Sequence, residues 1–527
     1  MRLASARPGA ATPAEAAAVE ADVTALTLWT LRGGDPAQAG VALSRLVAAR
    51  QLAAPERTPD RPAAHGGDAT PDEAFAISDP VAAGIALLSS VSRDDLDHQQ
   101  LRALARLLRV RAGSEPTDLA VATLNEAVAV LPTGVRPRER AMARTDLATT
   151  LQQIDPQAAV DVYRDALDDA ARARDDALRG SLLGQLATLR HMVGDVDGAA
   201  DDLVRAIPLL DRHGDPLLAA QARCDLARAL LDADRVAEAA EAAENALDLA
   251  SRVLGAAGLA PAGPEAPLPE QPGLDPAVHL AGTSAFTAAE AAAVLGETQH
   301  ARDLAELGAG WHRLNGNVIA EAEAWQLLAR CGGEAAENAA ALIRAADLAD
   351  EGGDWARAAT CRREAATALH EASGPDAALA VVADAVEKLE ARAASRSGRH
   401  ADPELVAESE RQLRWHRLAL AEQRVRLLAL AGRFAEALEG VEPLEAGYRE
   451  LDDAWSARDV VALRGQIRAE LGQVDTGVED LFHAAEEAMD AGDEHQAREL
   501  AVRLAAVLDD AGRTEDAEKA WARFSGE

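Results

Sequence analysis

Aromatic residues are scarce in this 527-residue chain: Phe, Trp and Tyr together make up 3% of it, although 48% of its residues are apolar. A large part of the apolar content is alanine, which buries little area per residue. Bulky side chains therefore cannot fill a thick core, and we expect helices that cross closely over small residues. The chain is too long for one compact core, so several domains or an elongated stack is expected.

Lysine is almost missing, and acidic side chains outnumber cationic ones. Only Lys388 and Lys519 occur, and 53 Lys and Arg residues face 88 Asp and Glu residues, for a formal net charge of −35. Such a surface repels phosphate backbones and anionic lipid, so we expect neither nucleic acid nor a membrane as partner. A basic or amphipathic protein or peptide fits this charge better, and the oligomeric state stays open.

Cysteine and long apolar runs are also rare. The three cysteines, Cys224, Cys331 and Cys361, are widely spaced and form no CxxC pair, which excludes a disulfide framework and suits a reducing compartment. No apolar stretch near the start resembles a secretion signal, and no run of about 18 apolar residues predicts a transmembrane helix. These absences predict a cytoplasmic protein.

Catalytic signatures are missing as well. The sequence contains no GxxxxGK[ST] phosphate loop, HExxH zinc helix, GxSxG elbow or calcium-loop pattern, and no GxGxxG motif after a strand. The scarcity of lysine also disfavours Schiff-base chemistry. We therefore expect no enzyme, and predict no catalytic residue, cofactor or metal ligand.

Helix-start signals are frequent along the chain. Aspartate at an N-cap accepts a hydrogen bond from a free backbone N–H, and proline suits the first helical position because its missing donor costs nothing there. Six Asp-Pro steps open apolar-periodic segments and predict helix starts: Asp35-Pro36, Asp79-Pro80, Asp155-Pro156, Asp215-Pro216, Asp275-Pro276 and Asp402-Pro403.

A phrase of turn residues followed by small and aliphatic residues repeats along the chain. It reads MVGDVDGAADDLVRAI at Met192–Ile207 and DAGRTEDAEKAWARF at Asp510–Phe524. Its first small residue recurs at intervals of 40 in two series, Ala159, Ala199 and Ala239, then Ala437, Gly477 and Ala517. A period of this size indicates a helical repeat array.

Within one repeat, Gly194 is expected to close a helix in the left-handed conformation, and the next helix then starts near Asp195. Ala199, Leu203 and Ala206 follow at helical spacing on one face.

This pattern of small residues, with Ala187 preceding Ala199 and Ala206, resembles the tetratricopeptide repeat (TPR) family. The period of about 40 exceeds the usual 34 and looks like the longer repeats of kinesin light chains and bacterial regulator sensor domains. The family's usual aromatic residue is missing, and Phe524 stands where a small residue is expected. The resemblance implies an all-α, right-handed α-solenoid of antiparallel helix pairs, in two or three stacked arrays.

Stretches rich in Pro, Gly or polar residues interrupt the repeat and predict linkers. The strongest lies at 254–274, where the anchor spacing widens to the 62 residues between Ala239 and Ala301. We predict an N-terminal helical hairpin (1–50), a linker (51–72), an N-terminal array (73–253), the Pro-rich linker (254–274), a middle array (275–390), a linker (391–401) and a C-terminal array (402–527).

The resemblance also implies that the first helix of each pair lines a concave, peptide-binding face. The candidate residues are polar and small in the N-terminal array and acidic near the C-terminus: Thr145, Thr149, Gln152, Thr188, His191, Arg228, Glu499 and Asp509. This lining favours a basic or amphipathic helical peptide. We therefore expect a non-catalytic scaffold for protein interactions. The alternative is a ligand- or peptide-responsive regulatory sensor that acts through an output protein on another chain.

One local basic patch stands out from the acidic surroundings. It comprises Arg136, Arg138, Arg140 and Arg144, with further arginines on the preceding helix at Arg102, Arg106, Arg109 and Arg111. The patch has two interpretations: it docks an acidic or phosphorylated segment, or its arginines pair with neighbouring carboxylates inside the array.

Overall fold

A computed structural model describes residues 36–53, 79–134, 136–267, 269, 275–395 and 403–524. Within these ranges all the regular structure is helical, and within each unit described below consecutive helices pack against each other. The predicted all-α fold of helix pairs is confirmed. The residues divide by contact into two compact units, Met1–Arg235 and Val236–Glu527.

The first unit contains a 3-10 turn at Arg93–Asp95 and a series of α-helices. These are α1 (Pro36–Ala53), α2 (Pro80–Ser89), α3 (His98–Ala112), α4 (Thr117–Val130), α5 (Pro137–Leu151), α6 (Pro156–Ala173), α7 (Asp176–Met192), α8 (Val196–His213) and α9 (Pro216–Asp232).

The second unit is built in the same way. Its helices are α10 (Val236–Ala256), α11 (Pro276–Val294), α12 (Thr298–Leu314), α13 (Val318–Arg330), α14 (Ala335–Glu351), α15 (Trp355–Ser373), α16 (Pro375–Ser395), α17 (Pro403–Leu430), α18 (Phe434–Val441), α19 (Leu444–Arg449), α20 (Ala454–Glu470), α21 (Val474–Asp490), α22 (Glu494–Asp510) and α23 (Thr514–Phe524).

The helix boundaries follow the predicted caps. The carboxylates of Asp79, Asp155, Asp215 and Asp275 accept hydrogen bonds from the first turns of helices that begin at the next proline. Gly194 has φ 84° between α7 and α8, and Asp195 caps α8 by accepting from the Gly198 N–H. Asp35 and Asp402 lie outside the described residues, although α1 and α17 do begin at the prolines that follow them.

The small anchor residues lie where helices cross. Ala159, Ala199, Ala239 and Ala437 are completely buried, and Ala517 is nearly so. At Gly477 the approach is closest, because a Cβ on Gly465 of α20 would lie 2.6 Å from the Gly477 carbonyl oxygen of α21. The core is thus a thin layer between paired helices, as the composition predicts.

Three helices extend into the first residues of stretches that the sequence assigns to linkers. Helix α1 ends at Ala53, α10 at Ala256 and α16 at Ser395, and each therefore extends into a stretch assigned to a linker. Residues 1–35 and 54–72, which hold most of the predicted hairpin and first linker, lie outside the described residues. The division into arrays stays a prediction.

Candidate functional site: the inner face of the first unit

The first helices of neighbouring pairs in the first unit are α3, α5, α7 and α9. Helix α3 contacts α5, and α7 contacts α9, in addition to the contacts within each pair. The second helices α4, α6 and α8 make no comparably close approach to one another. We call the side of this unit formed by the first helices the inner face, and its role as a concave, peptide-binding face stays a prediction.

A buried tyrosine connects three polar residues of the inner face. The Tyr163 hydroxyl on α6 lies 3.1 Å from the Thr149 hydroxyl, accepts from Gln152 Nε2 at 3.3 Å and donates to Gln185 Oε1 at 3.3 Å. Burial raises the pKa of Tyr163, so the hydroxyl stays neutral. Thr145 instead donates to the Ala141 carbonyl of its own helix. The structure thus brings Thr149 and Gln152 of α5 together with Gln185 of α7.

Farther along the inner face, a second polar group joins α7 and α9. His191 Nε2 contacts Asp232 Oδ2, and Gln221 Nε2 donates to Asp225 Oδ1 at 2.9 Å. Burial raises the pKa of the Asp225 carboxyl, against the lowering effects of the Gln221 hydrogen bond, Arg228 and His191. Thr188 and Arg228 are exposed on these helices, and the Thr188 hydroxyl donates to the Gly184 carbonyl.

Most arginines of the predicted anion-docking patch already have acidic partners. Arg138 pairs with Asp175 at 2.7 Å, Arg140 with Asp169 at 3.5 Å, and Arg144 with Asp165 at 2.9 Å and also with Asp169. The Asp169 carboxylate is completely buried, so the pairs of Arg140 and Arg144 are part of the packing between α5 and α6, whereas Asp175 caps α7. Arg136 precedes α5 in the left-handed conformation, with φ 64°. Three of the four arginines of the predicted patch are thus paired with aspartates of the same unit.

A cavity of about 650 Å³ lies between α3 and α5, and four arginines contribute to its walls. Arg102 pairs with Glu139 at 2.8 Å and Arg109 with Asp146 at 2.5 Å. Arg106 lies between Arg102 and Arg109 in the sequence, and its pKa is lowered by burial and by the positive charges of these two neighbours. A carboxylate entering the cavity would relieve this repulsion. Arg106 thus lies on α3, two helices before the predicted patch on α5, between two arginines that already have acidic partners.

The two acidic candidates from the C-terminal region lie in the second unit. Glu499 and Asp509 are exposed on α22, and His495 of the same helix lies 3.6 Å from Glu499. They form a separate acidic surface and do not belong to the inner face of the first unit.

Residue patterns that would indicate other kinds of site are missing from the described ranges. No three His, Cys, Asp or Glu side chains in these ranges come close enough together to hold a metal ion. None of the helices described is long and apolar enough to cross a membrane.

Tyr163 and Gln185 belong to the polar group around the inner face but are not among the residues predicted from the sequence. The chain has only two tyrosines, and both are buried residues of second helices whose hydroxyls reach a first helix. The Tyr448 hydroxyl donates to Glu422 Oε2 at 2.8 Å in the second unit. Tyrosine is rare in this chain, and that rarity was the one feature of the sequence that could have pointed to these two residues.

Helix pairs that repeat along the chain and cross over small residues define a helical-repeat protein with an all-α fold. The chain matches no model of a known protein family and no curated protein.

Solved structures similar to the chain are TPR-like proteins and bacterial regulators. A putative kinesin light chain with TPR-like repeats from Podospora anserina is 20% identical over 41% of this chain and 97% of its own, with a TM-score of 0.32. The apo quorum sensor NprR from B. thuringiensis is 11% identical over 73% and 98%, with a TM-score of 0.40. Aspartyl phosphate phosphatase F from Bacillus subtilis is 12% identical over 73% and 96%, with a TM-score of 0.37.

Proposed function

We propose that the chain is a non-catalytic helical-repeat scaffold that binds a peptide segment of a partner protein along the inner face of the first unit. The observation that carries the proposal is the continuous set of polar side chains on the first helices, from the Arg106 cavity to the His191–Asp232 pair. Three buried free cysteines are compatible with a reducing compartment, and the proposal places the scaffold in the cytoplasm.

The charges of the inner face suggest an amphipathic peptide of mixed charge. The Arg106 cavity suits one carboxylate of the peptide, because that group would offset the repulsion among three arginines. Near α9, the Asp225 and Asp232 carboxyls suit a basic side chain. The net charge of −35 favours a basic partner overall.

The test is affinity purification from cells that express the chain, followed by measurement of binding with the captured partner. Arg106→Glu should abolish or greatly weaken binding. It should leave folding intact, since it removes a charge that its neighbours already disfavour. Arg164→Glu on α6 is the control, because Arg164 is exposed and its ion pair with Asp161, at 3.0 Å, lies within its own helix.

Equal retention of the partner by both variants would exclude the inner face as the binding surface. Binding should also weaken as salt increases, because charged contacts are screened.

A further inference from the structure

The Pro-rich stretch after α10 is docked onto the second unit. We call residues 259–266 the docked segment. Its Ala262 N–H donates to the Gly310 carbonyl at 3.0 Å. Arg313 Nε donates to the Ala266 carbonyl at 2.5 Å, and Arg344 Nη2 donates to the Pro264 carbonyl. These contacts use the backbone of the docked segment, so they would accept many sequences in an extended conformation.

The groups that hold the docked segment are fixed by a buried ionic cluster. Glu321 is 1% exposed and accepts from Arg313 Nη1 at 3.0 Å and from Trp325 Nε1 at 3.3 Å. The Arg344 guanidinium stacks over the Trp325 ring, 4.7 Å from its centroid. Arg313 and Arg344 are therefore oriented by contacts within the helices, and their donors face whatever chain lies in the groove.

The docked segment fills its groove poorly. Its side chains from Ala260 to Pro264 are small, and Glu265, which is 96% exposed, lies 3.6 Å from Arg344 Nη1. A cavity of about 320 Å³ remains between Pro261–Pro264 and the helices α12 and α13, where its walls include Leu307 and Trp325. A cavity left beside apolar walls means that contacts are lost which a larger side chain would make. The occupant is thus held by backbone hydrogen bonds and one exposed ion pair, and it leaves space unfilled beside Leu307 and Trp325.

Gly310 allows the close approach of the occupant. A Cβ at this position would lie 2.8 Å from the Ala262 carbonyl oxygen and 3.1 Å from Pro261 Cβ. Its three nearest neighbours all belong to the docked segment. Any side chain at position 310 would therefore push the occupant away without first meeting another helix.

We propose that this groove is a binding site for an extended segment of a partner protein that carries one bulky apolar side chain, and that residues 259–266 are its displaceable occupant. Arg313 and Arg344 would bind the backbone carbonyls of the partner, and the apolar side chain would fill the cavity beside Leu307 and Trp325. Exposed Asp303 and Glu306 also border the cavity, so they disfavour acidic residues next to that side chain. The site lies in the second unit and does not depend on the function proposed for the inner face.

The test uses the full chain with residues 259–266 replaced by a Gly-Ser sequence of equal length, which opens the groove. Two fluorescent eight-residue peptides are titrated: one has the sequence of the docked segment, and the other carries Ala262→Leu. The leucine peptide should bind at least about tenfold more tightly, because each additional buried methylene increases affinity several-fold. Equal affinities, or no binding of either peptide, would overturn the proposal.

Two further variants of the opened chain assign the binding to this groove. Gly310→Ala should abolish binding of both peptides, whereas Gly184→Ala, whose added Cβ meets nothing within 4 Å, should have no effect. Leu307→Gln should remove the preference for leucine and keep the weaker binding. Circular dichroism checks that each variant folds, and Leu307→Gln still decides the matter if Gly310→Ala does not fold. A leucine preference that survives Leu307→Gln would rule out this cavity.

In the unaltered chain, hydrogen exchange provides an independent measurement. The Ala262 amide should exchange slowly because it donates to Gly310, and excess leucine peptide should make it exchange faster by displacing the docked segment. Unchanged exchange at saturating peptide would show that the docked segment is a permanent part of the fold.

Discussion

At the scale of single residues, close helix crossings depend on the absence of side-chain atoms. Gly465 and Gly477 face each other where α20 crosses α21, and a Cβ on either one would contact the backbone of the other. Backbone atoms cannot move aside as the end of a flexible side chain can. Small residues therefore recur every 40 residues because neighbouring helices cross closely at those positions.

Gly477→Ala should destabilise the second unit by about 1–3 kcal/mol, since overpacking a close crossing forces the backbones apart. Gly184→Ala is the control: it also lies inside a helix, but its added Cβ has open space, so it should stabilise by about 0.5–1 kcal/mol. Chemical denaturation of both variants measures the difference. Equal effects would mean that the crossing at Gly477 is looser than described.

The half-buried Asp225 is the residue whose replacement should improve stability. Burial raises the pKa of its carboxyl above the unfolded value, so its contribution to stability is largest at low pH and is lost as pH rises through the folded pKa. Asp225→Asn keeps an acceptor for Gln221 and removes the charge. Its melting temperature should exceed that of the wild type at pH 7, and the two should converge below the unfolded pKa of about 3.8. A lower melting temperature at pH 7 would mean that Arg228 and His191 outweigh burial.

At the scale of helices, the aspartate caps fix where each element starts. Asp155 accepts from the Ala158 N–H at 3.0 Å and precedes Pro156. Asp155→Ala should cost about 1 kcal/mol of stability, because it leaves that donor without its side-chain partner. Asp161→Ala on the same helix removes only an exposed pair with Arg164 and should change stability by less than about 0.5 kcal/mol. Urea denaturation measures the free energy of unfolding of both variants. Similar losses of stability in Asp155→Ala and Asp161→Ala would mean that the cap makes no special contribution.

The same local signals explain which parts of the fold are predictable. Asp-Pro steps, glycine ends and the periodic small residues act within a few residues, so the helices and their pairing could be read from the sequence. The docked segment could not, because its position depends on Gly310 and Arg344, which are 48 and 80 residues from Ala262 and Pro264. A Pro-rich composition predicts a linker and does not reveal what the linker contacts.

The inner face was predictable to a similar extent. The family resemblance implied Thr149, Thr188 and His191 as residues of first helices, and they lie on α5 and α7. It did not reveal the Tyr163 hydroxyl, which comes from a second helix, nor the charge balance of the arginines. The carboxylate that pairs with Arg138 lies 37 residues away, and those that pair with Arg144 lie 21 and 25 residues away, so their pairing depends on how the helices stack.

At the scale of the whole molecule, short-range attraction and long-range repulsion oppose each other. Arginine–carboxylate pairs connect many neighbouring helices, among them Arg449–Glu487 at 2.8 Å and Arg464–Asp480 at 2.9 Å. The chain nevertheless carries a net charge of −35. Exposed pairs contribute about 0–1 kcal/mol each, whereas excess charge of one sign destabilises any compact state.

Added salt should therefore stabilise the protein at neutral pH. Raising NaCl from about 10 mM to about 300 mM shortens the screening length from about 30 Å to less than 10 Å. This change weakens long-range repulsion more than it weakens partly buried pairs such as Arg464–Asp480. Differential scanning calorimetry should record a higher melting temperature at pH 7. The gain should disappear near pH 4.7, the isoelectric point, where no net repulsion remains to be screened. A melting temperature that falls with salt at pH 7 would mean that the ion pairs between helices outweigh the excess negative charge.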